Sequence, residues 1–513
     1  MSLARTRAAA LWGIGAYGVD VEVDVSLGLP AFHVVGLPDA AVRESRERVT
    51  AALRNSGFAV PRNKVVVNLA PAARRKEGTA LDLAIACGVL AAQGVIPAER
   101  LRTLLLVGEL SLDGALQPIT GALAMALHAK ERGITELFLP AANAGEAALV
   151  RGVTPVPLSH LRGAVAVLTG QAEGEAPATA PPDPEAEMDG VDLADVRGQA
   201  SAKRALEVAA AGGHHLLLLG PPGAGKSMLA RRLPTILPPL TDAEALAVTR
   251  VYSATGLLPP SSGLVRRRPF RAPHHSVSQA GLVGGGSRPR AGEITLAHHG
   301  VLFLDELPEF PRPVLEALRG PLEEGTVRIV RVGGTAALPS RFQWIAAMNP
   351  CPCGFLGDAR RECLCTPPMI QRYRSRLSGP LLDRIDLHVD VPALPFREMR
   401  AEGEAEASAE VRERVTAARG IQAERFAGTG VLSNARMRGR LLRRHARLDA
   451  EGEQLLELAM DRLGLSARAH DRVLCVARTI ADLEGAPHVR PPHLSEAIQY
   501  RSLDRRIGGD GGR

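Results

Sequence analysis

Aromatic residues are scarce in this 513-residue chain: ten Phe, four Tyr and two Trp make up 3% of it. An aromatic platform for stacking bases is therefore not expected. Lysine is rarer still, confined to Lys64, Lys76, Lys130, Lys203 and Lys226, so nearly all positive charge is arginine and Lys226 stands out. Six cysteines over this length do not make a secreted disulfide scaffold. No run of about 18 uncharged apolar residues exists, which argues against a membrane span. Arg5 and Arg7 ahead of Ala8–Val19 faintly outline a signal peptide, but Gly13, Gly15 and Gly18 interrupt the stretch and no small-residue cleavage site follows. A cytoplasmic protein is expected. The formal charge of +7 is mild for the size and permits a nucleic-acid partner without requiring one.

What is present divides the chain, whose length calls for two or three domains. Gln171–Met188 is rich in Pro, Ala and Glu and reads as a linker. Ahead of it, residues 1–170 mix strand patterns (Val19–Val25, Lys64–Leu69, Leu104–Val107) with helical ones (Ala40–Ser56, Ala80–Gln93, Gly121–Arg132), which predicts a compact α/β domain. Across 189–395, apolar strands at Leu216–Leu219, Val301–Leu304 and Trp344–Met348 alternate with helical segments, the spacing of a parallel sheet flanked by helices. From 396 to 513 the pattern is all-helical: Ala407–Phe426, Asn434–His445, Ala450–Leu463, Ala467–Leu483 and Pro492–Leu503, with Gly464 and Gly485 closing two of them.

The chemistry centres on Gly220-Pro221-Pro222-Gly223-Ala224-Gly225-Lys226-Ser227, set between a buried strand and a helix. Glycines let backbone N–H groups curl around a β-phosphate, and the helix N-terminus adds its positive end. In such a P-loop Lys226 reaches the β- and γ-phosphates and Ser227 ligates magnesium. A complete motif in that context is specific; a bare glycine-rich loop is not. Val301-Leu302-Phe303-Leu304 ends in Asp305 and Glu306, which suit holding magnesium and polarising an attacking water. Acid pairs at strand ends are common on any α/β protein, but the P-loop upstream favours the catalytic role. Asn349, closing the Trp344–Met348 strand, is placed to contact the γ-phosphate or the water, although Asn-Pro is also an ordinary turn signal. Arg384 and Arg468 are candidates for clamping transition-state charge, an effect worth roughly 10³–10⁵ in rate where it operates. A lone arginine at such a position is more often solvated or paired.

Further stretches carry a family resemblance: Arg271-Ala272-Pro273-His274-His275-Ser276, Gly292–Gly300 and Ser378-Gly379-Pro380-Leu381-Leu382-Asp383-Arg384. With these the chain from Val191 resembles the magnesium-chelatase-like AAA+ ATPases, and its whole length resembles the YifB/ComM family. The resemblance implies Walker A at Lys226 and Ser227, Walker B at Asp305 and Glu306, and sensor 1 at Asn349. It further implies an arginine finger at Arg384, sensor 2 at Arg468 and a hexameric active form. Ser276–Gly292 matches the family's helix-2 insert. Glu324–Arg341 matches its pre-sensor hairpin, with Gly333-Gly334 at the tip. Residues 1–170 resemble the Lon protease domain, a fold of the S5 second-domain type, without its dyad. Ala80 and Leu123 stand where a serine and a lysine are required, and Ala80 is no nucleophile.

Cys351, Cys353, Cys363 and Cys365 form two C-x-C pairs just after Asn349, fit for one structural zinc or simply four reduced thiols. The histidines at 274, 275, 298 and 299 belong to the insert motifs, where a structural or DNA-facing role outweighs a metal site. Arg436, Arg438, Arg440, Arg443, Arg444 and Arg447 outline a basic helix face, the kind of charge that tracks phosphates or is merely solvated. The expected function is an ATP-dependent DNA motor, using ATP and magnesium and taking single-stranded or branched DNA. By resemblance it performs helicase and branch-migration work in recombination and natural transformation. The alternatives are a protein-remodelling or chelatase-like motor and an ATP-dependent protease; Ala80 and Leu123 weigh against the last.

Overall fold

The computed structural model describes residues 2–174, 190–259, 263–286, 289–331, 334–358, 361–394 and 405–501. Most of the expected linker, the expected boundary at 395/396, the tip residue Gly333 and the end of the last expected helix at Leu503 lie outside these.

The chain opens with a long hairpin. Strands Ser2–Trp12 and Gly15–Ser26 pair antiparallel in the register Trp12↔Gly15, turning at Gly13 in the left-handed region (φ 65°). The apolar stretch that faintly outlines a signal peptide is thus two strands of one sheet, the first of which the sequence pattern did not announce. Ala4, Ala8 and Ala10 point into the core while Arg5 and Arg7 point out, but alanine is too small to make that alternation stand out. Strand Lys64–Ala70 pairs antiparallel with Gly15–Ser26, and Ala31–Val35 adds in parallel at the edge. Helix Asp82–Ala92, buried along its whole length, packs on the hairpin, and Ala40–Asn55 packs on that helix. A three-stranded parallel sheet (Leu105–Leu106, Glu136–Pro140, Thr154–Leu158) completes an α/β unit.

The second sheet positions the candidate site. Its five strands run parallel in the order Phe270–Arg271, Val301–Leu304, Gln343–Met348, Leu216–Leu219, Leu387–Asp390. Both faces are covered, which is why its strands read as unbroken apolar runs. Leu216, Leu218, Phe303, Ile345 and Ala347 join one core with helices Ala200–Gly212 and Lys226–Ile236. Leu217, Leu219, Leu302, Leu304 and Trp344 join another with Ile294, Leu307 and Phe310. Burying one such leucine stabilises the fold by about 1.5–3 kcal/mol, and truncating it to alanine costs about 2–5 kcal/mol.

Residues 405–501 are helical and strand-free among the described residues: Ser408–Arg425, Gly439–His445, Ala450–Leu463, Ala467–Leu483 and Pro491–Gln499. Asp449 and Ser466 cap two of these helices, and Gly464 ends one at φ 64°. The single helix expected over Asn434–His445 is instead a 3-10 turn at Asn434–Arg436 and a short helix from Gly439. Asn434 causes the break: its side chain turns inward to donate to Thr479 Oγ1 (3.1 Å) and Asp482 Oδ2 (2.7 Å). The expected basic face is shortened: Arg436 turns inward, while Arg440, Arg443 and Arg444 stay exposed on one side of the short helix and Arg447 just beyond it.

The tip of the first hairpin touches the second unit. Arg250 Nε donates to the Ile14 carbonyl at 2.9 Å, Gly121 N donates to the Ser253 carbonyl at 3.0 Å, and Trp12 Nε1 reaches the Thr335 carbonyl at 3.4 Å. Thr335 belongs to the antiparallel hairpin of strands Thr326–Arg331 and Gly334–Pro339. No helix among the described residues is long and apolar enough to cross a membrane.

Candidate active site

Strand Leu216–Leu219 is buried throughout and releases the chain into a loop shaped by its glycines. A Cβ on Gly220 would lie 2.1 Å from the Val391 carbonyl oxygen, so no side chain fits there. Gly223 (φ 78°) and Gly225 (φ 91°) take the left-handed conformation that side chains resist. Helix Lys226–Ile236 begins at once, aiming its unpaired N–H groups into the loop. Gly220–Ser227 therefore forms a strand–loop–helix, and its open glycines leave room for phosphates: nothing would meet a Cβ on Gly223 or Gly225 within 4 Å.

Three strand ends converge on this loop. Lys226 Nζ donates to the carbonyls of Gly220 (2.7 Å) and Pro221 (2.9 Å) and to Asn349 Oδ1 (3.0 Å). Ser227 Oγ donates to Asp305 Oδ2 at 2.6 Å, so the two candidate magnesium ligands already share a point. Burial lowers the pKa of the Lys226 ammonium, and the carboxylates of Asp305 and Glu306 oppose that shift. Glu306 stands half exposed at φ 52°, ψ 47°, a left-handed conformation costly for a residue with a Cβ. Its carboxylate lies 3.5 Å from His275 Nδ1.

The motif histidines sit in two adjacent pairs, each with ring centroids 4.0 Å apart and the rings tilted by 35° and 46°. His274 Nδ1 meets Ser276 Oγ at 2.8 Å, His298 Nδ1 accepts from Arg341 N, and His299 Nδ1 faces Glu244 at 3.3 Å. Arg271 grips Glu293 through two hydrogen bonds (2.7 and 2.9 Å), tying the first histidine motif to the second. These histidines are structural joints, with the His275–Glu306 contact alone reaching the acid pair.

Arg384 and Arg468 come together elsewhere. They line a cavity of about 360 Å³ with Arg436, Arg438 and Arg472, walled also by Glu323, Asp383 and Asp471. Arg384 is buried and ion-paired to Glu323, whereas Arg468 is exposed. Gly213 and His215 of this cavity precede strand Leu216–Leu219, and Asp383–Arg384 precede strand Leu387–Asp390. The P-loop and Asn349 follow the opposite ends of their strands. At roughly 3.3 Å per residue, the four-residue P-loop strand separates the two places by about 13 Å. Asp386 organises the cavity floor, accepting from Arg472 (2.7 Å) and His215 N (2.9 Å). Burial alone raises its pKa, but Arg472 and the neighbouring histidines hold it well below the usual carboxylate range.

With this geometry the chain meets its relatives. Residues 192–399 match the family described as Magnesium chelatase, subunit ChlI; residues 21–143 match Subunit ChlI of Mg-chelatase; residues 405–501 match Magnesium chelatase, subunit ChlI C-terminal. The chain is 44% identical over 514 residues to Competence protein ComM of Haemophilus influenzae, covering 99% of each. It is 43% identical over 509 residues to the uncharacterized protein YifB of Escherichia coli K12, covering 99% of this chain and 98% of that one. The chain belongs to the YifB/ComM family of magnesium-chelatase-like proteins. Membership of this AAA+ family implies ATP and magnesium, and the P-loop glycines with Ser227 and Asp305 suit both.

A shorter match, 31% identical over 126 residues and 22% of each chain, is to Lon protease 2 of Bacillus subtilis. Leu123, the residue expected in place of a protease base, is buried with its N–H bonded to Glu146. Thr79, beside Ala80, donates its hydroxyl to Glu109 rather than to an amine. The four clustered cysteines are free thiols whose Sγ atoms all lie within 4.8 Å of one another.

Gln199 was not singled out by the sequence. At φ 53° its side-chain nitrogen donates to the carbonyls of Ala224 (3.3 Å) in the P-loop and Pro392 (2.7 Å) beyond the last sheet strand. Only the Gly198-Gln199 step before a helix hints at it, a signal too common to use alone. His275 was noticed only as part of a motif, since its contact with Glu306 spans 31 residues.

Proposed function

We propose that this family member is an ATP hydrolase that works as a homo-hexameric DNA motor, a helicase or branch-migration enzyme in recombination and natural transformation. The convergence of Lys226 on Asn349 and of Ser227 on Asp305 carries the reading, because hydrolysis needs these groups around one γ-phosphate. Lys226 exchanges its carbonyl partners for β- and γ-phosphate oxygens, while the loop N–H groups hold the β-phosphate. Ser227 and Asp305 would hold magnesium, which when bound would supply charge neutralisation at the phosphates. Glu306 orients water for attack on the γ-phosphorus and accepts its proton as the bond to the β-phosphate oxygen breaks, leaving ADP and phosphate. Asn349 fixes the γ-phosphate or that water from the neighbouring strand.

Arg384 and Arg468 lie too far from their own P-loop for this work, which supports action on a neighbour's nucleotide. Such head-to-tail contacts close into rings. The domain reading follows: 1–170 as a Lon-like, S5-type unit without its dyad, 171–188 as linker, 189–395 as AAA+ core, and 396–513 as helical lid. Support for DNA comes from the name of Competence protein ComM and from exposed Arg328 and Arg331 on the hairpin Thr326–Pro339. Phosphate contacts of that kind weaken steeply with salt.

The test is ATP turnover by the purified protein, alone and with single-stranded, duplex and forked DNA at low and high salt. Salt-sensitive stimulation by one DNA form is expected. A protein stimulated by no DNA is a remodelling or chelatase-like motor instead, and turnover retained by Lys226→Ala removes the site assignment.

A further inference from the structure

The cysteine loop after Asn349 has the dimensions of a metal site. Cys351 Sγ lies 3.4 Å from Cys353 Sγ and 3.7 Å from Cys363 Sγ, and Cys353 Sγ lies 3.7 Å from Cys363 Sγ. Tetrahedral zinc with Zn–S bonds of about 2.3 Å sets its sulfurs about 3.8 Å apart. A disulfide needs about 2.05 Å, well below these separations. An iron–sulfur cluster spreads its four ligands over several irons, wider than a set in which every pair lies within 4.8 Å. Among the described residues no other group of three or more His, Cys, Asp or Glu side chains gathers this way.

The loop also bears on the nucleotide site. Cys351 is fully buried two residues after Asn349, and Arg374 donates to the intervening Pro350 carbonyl through Nε (3.3 Å) and Nη2 (3.1 Å). Gly354, in the left-handed region at φ 85°, presses on the P-loop so closely that a Cβ there would meet Pro222 Cδ at 2.5 Å. We propose that Cys351, Cys353, Cys363 and Cys365 bind one structural zinc whose loop braces Pro222 and Asn349 in their working positions. The zinc touches no substrate; its residues are positioning residues. The metal site stands independently of the ATPase reading, and only the bracing role rests on it.

Elemental analysis of the purified wild-type protein is expected to find about one zinc per chain, lost in Cys353→Ser/Cys365→Ser and kept in Cys87→Ser/Cys475→Ser. Loss of zinc is expected to lower kcat about 10- to 100-fold, the usual cost of disturbing an outer shell, with KM for ATP changed far less. Gly354→Ala is expected to keep its zinc yet lose kcat, and it carries the bracing role if the cysteine variant fails to fold. No stoichiometric metal, iron in place of zinc, or two disulfides in the native protein overturns the site. Wild-type kcat in both the zinc-free and the Gly354→Ala proteins overturns the bracing role. A wild-type protein that binds zinc but never turns over ATP overturns the ATPase reading and leaves the zinc site standing.

Discussion

Lys226, opening the helix after the P-loop, and Asn349, just past the end of strand Gln343–Met348, share a 3.0 Å hydrogen bond at the mouth of the P-loop. The contact holds the ammonium and the amide in one geometry, so a γ-phosphate arriving between them meets both. Asn349→Ala is expected to bind ATP with little change but to lower turnover about 10²-fold, the scale of losing one preorganised donor. Equal losses in binding and turnover mark Asn349 as a turn residue only.

Glu306 combines a catalytic position with a costly backbone. Its left-handed conformation costs about 1–2 kcal/mol, which glycine does not bear. Glu306→Gly is expected to raise Tm modestly while abolishing turnover, whereas Glu306→Gln abolishes turnover without raising Tm. A Glu306→Gly protein that melts lower than wild type shows that no strain is stored there.

Arg384 is held by Glu323, whose side chain is 58% exposed. The pair is open to water on the Glu323 side only: the Arg384 side chain is 8% exposed, so removing Glu323 leaves a buried guanidinium without its carboxylate. Glu323→Ala is expected to lower Tm while leaving turnover near wild type. Arg384→Ala is expected to lower turnover by about 10³-fold or more. Equal losses in both variants mean that the pair itself is the functional unit.

Acid sensitivity follows from buried histidines, among them His214 and His128, whose pKa burial also lowers. Burial lowers the His215 pKa to about 3, with Arg436 and Arg472 assisting and Asp386 opposing. Burial lowers His298 likewise to about 3, helped by His299 and Arg341. Both rings stay neutral when folded but take a proton near the ordinary 6.5 when unfolded. Their stabilisation is therefore complete above that pH and is lost as pH falls, at about 1.4 kcal/mol per unit for each ring. Glu244, held at about 2, and Asp386 titrate in the unfolded chain only near 4.5 and 3.8, so the interval from 6.5 to 4.5 isolates the histidines. His298→Asn keeps an oxygen to accept from Arg341 N and is expected to show a smaller Tm drop between pH 7.5 and 5.5. An unchanged drop contradicts the assignment.

Much of the core was legible because its chemistry is contiguous. Gly220–Ser227 and Asp305–Glu306 each sit in a few adjacent residues, next to strands whose unbroken apolar runs reflect burial on both faces. Signals failed where side chains are small or contacts distant. The alanines of Ser2–Trp12 hid a strand, and the inward turn of Asn434 split a helix with good helical spacing. Gln199 reaches the P-loop across 25 residues, and no local pattern puts Arg384 and Arg468 at one cavity. The folded sheet, with the P-loop at one end and these arginines at the other, adds a geometric reason for the action on a neighbouring subunit that the family resemblance implies.

The central claim is that the nucleotide site is completed by the next subunit, and mixing two inactive variants tests it directly. Lys226→Ala supplies intact arginines with a dead P-loop; Arg384→Ala supplies the reverse. Co-assembled in equal amounts, they are expected to recover about a quarter of wild-type ATP turnover, since about a quarter of ring interfaces then pair an intact P-loop with an intact arginine. A mixture no more active than its two components contradicts the account.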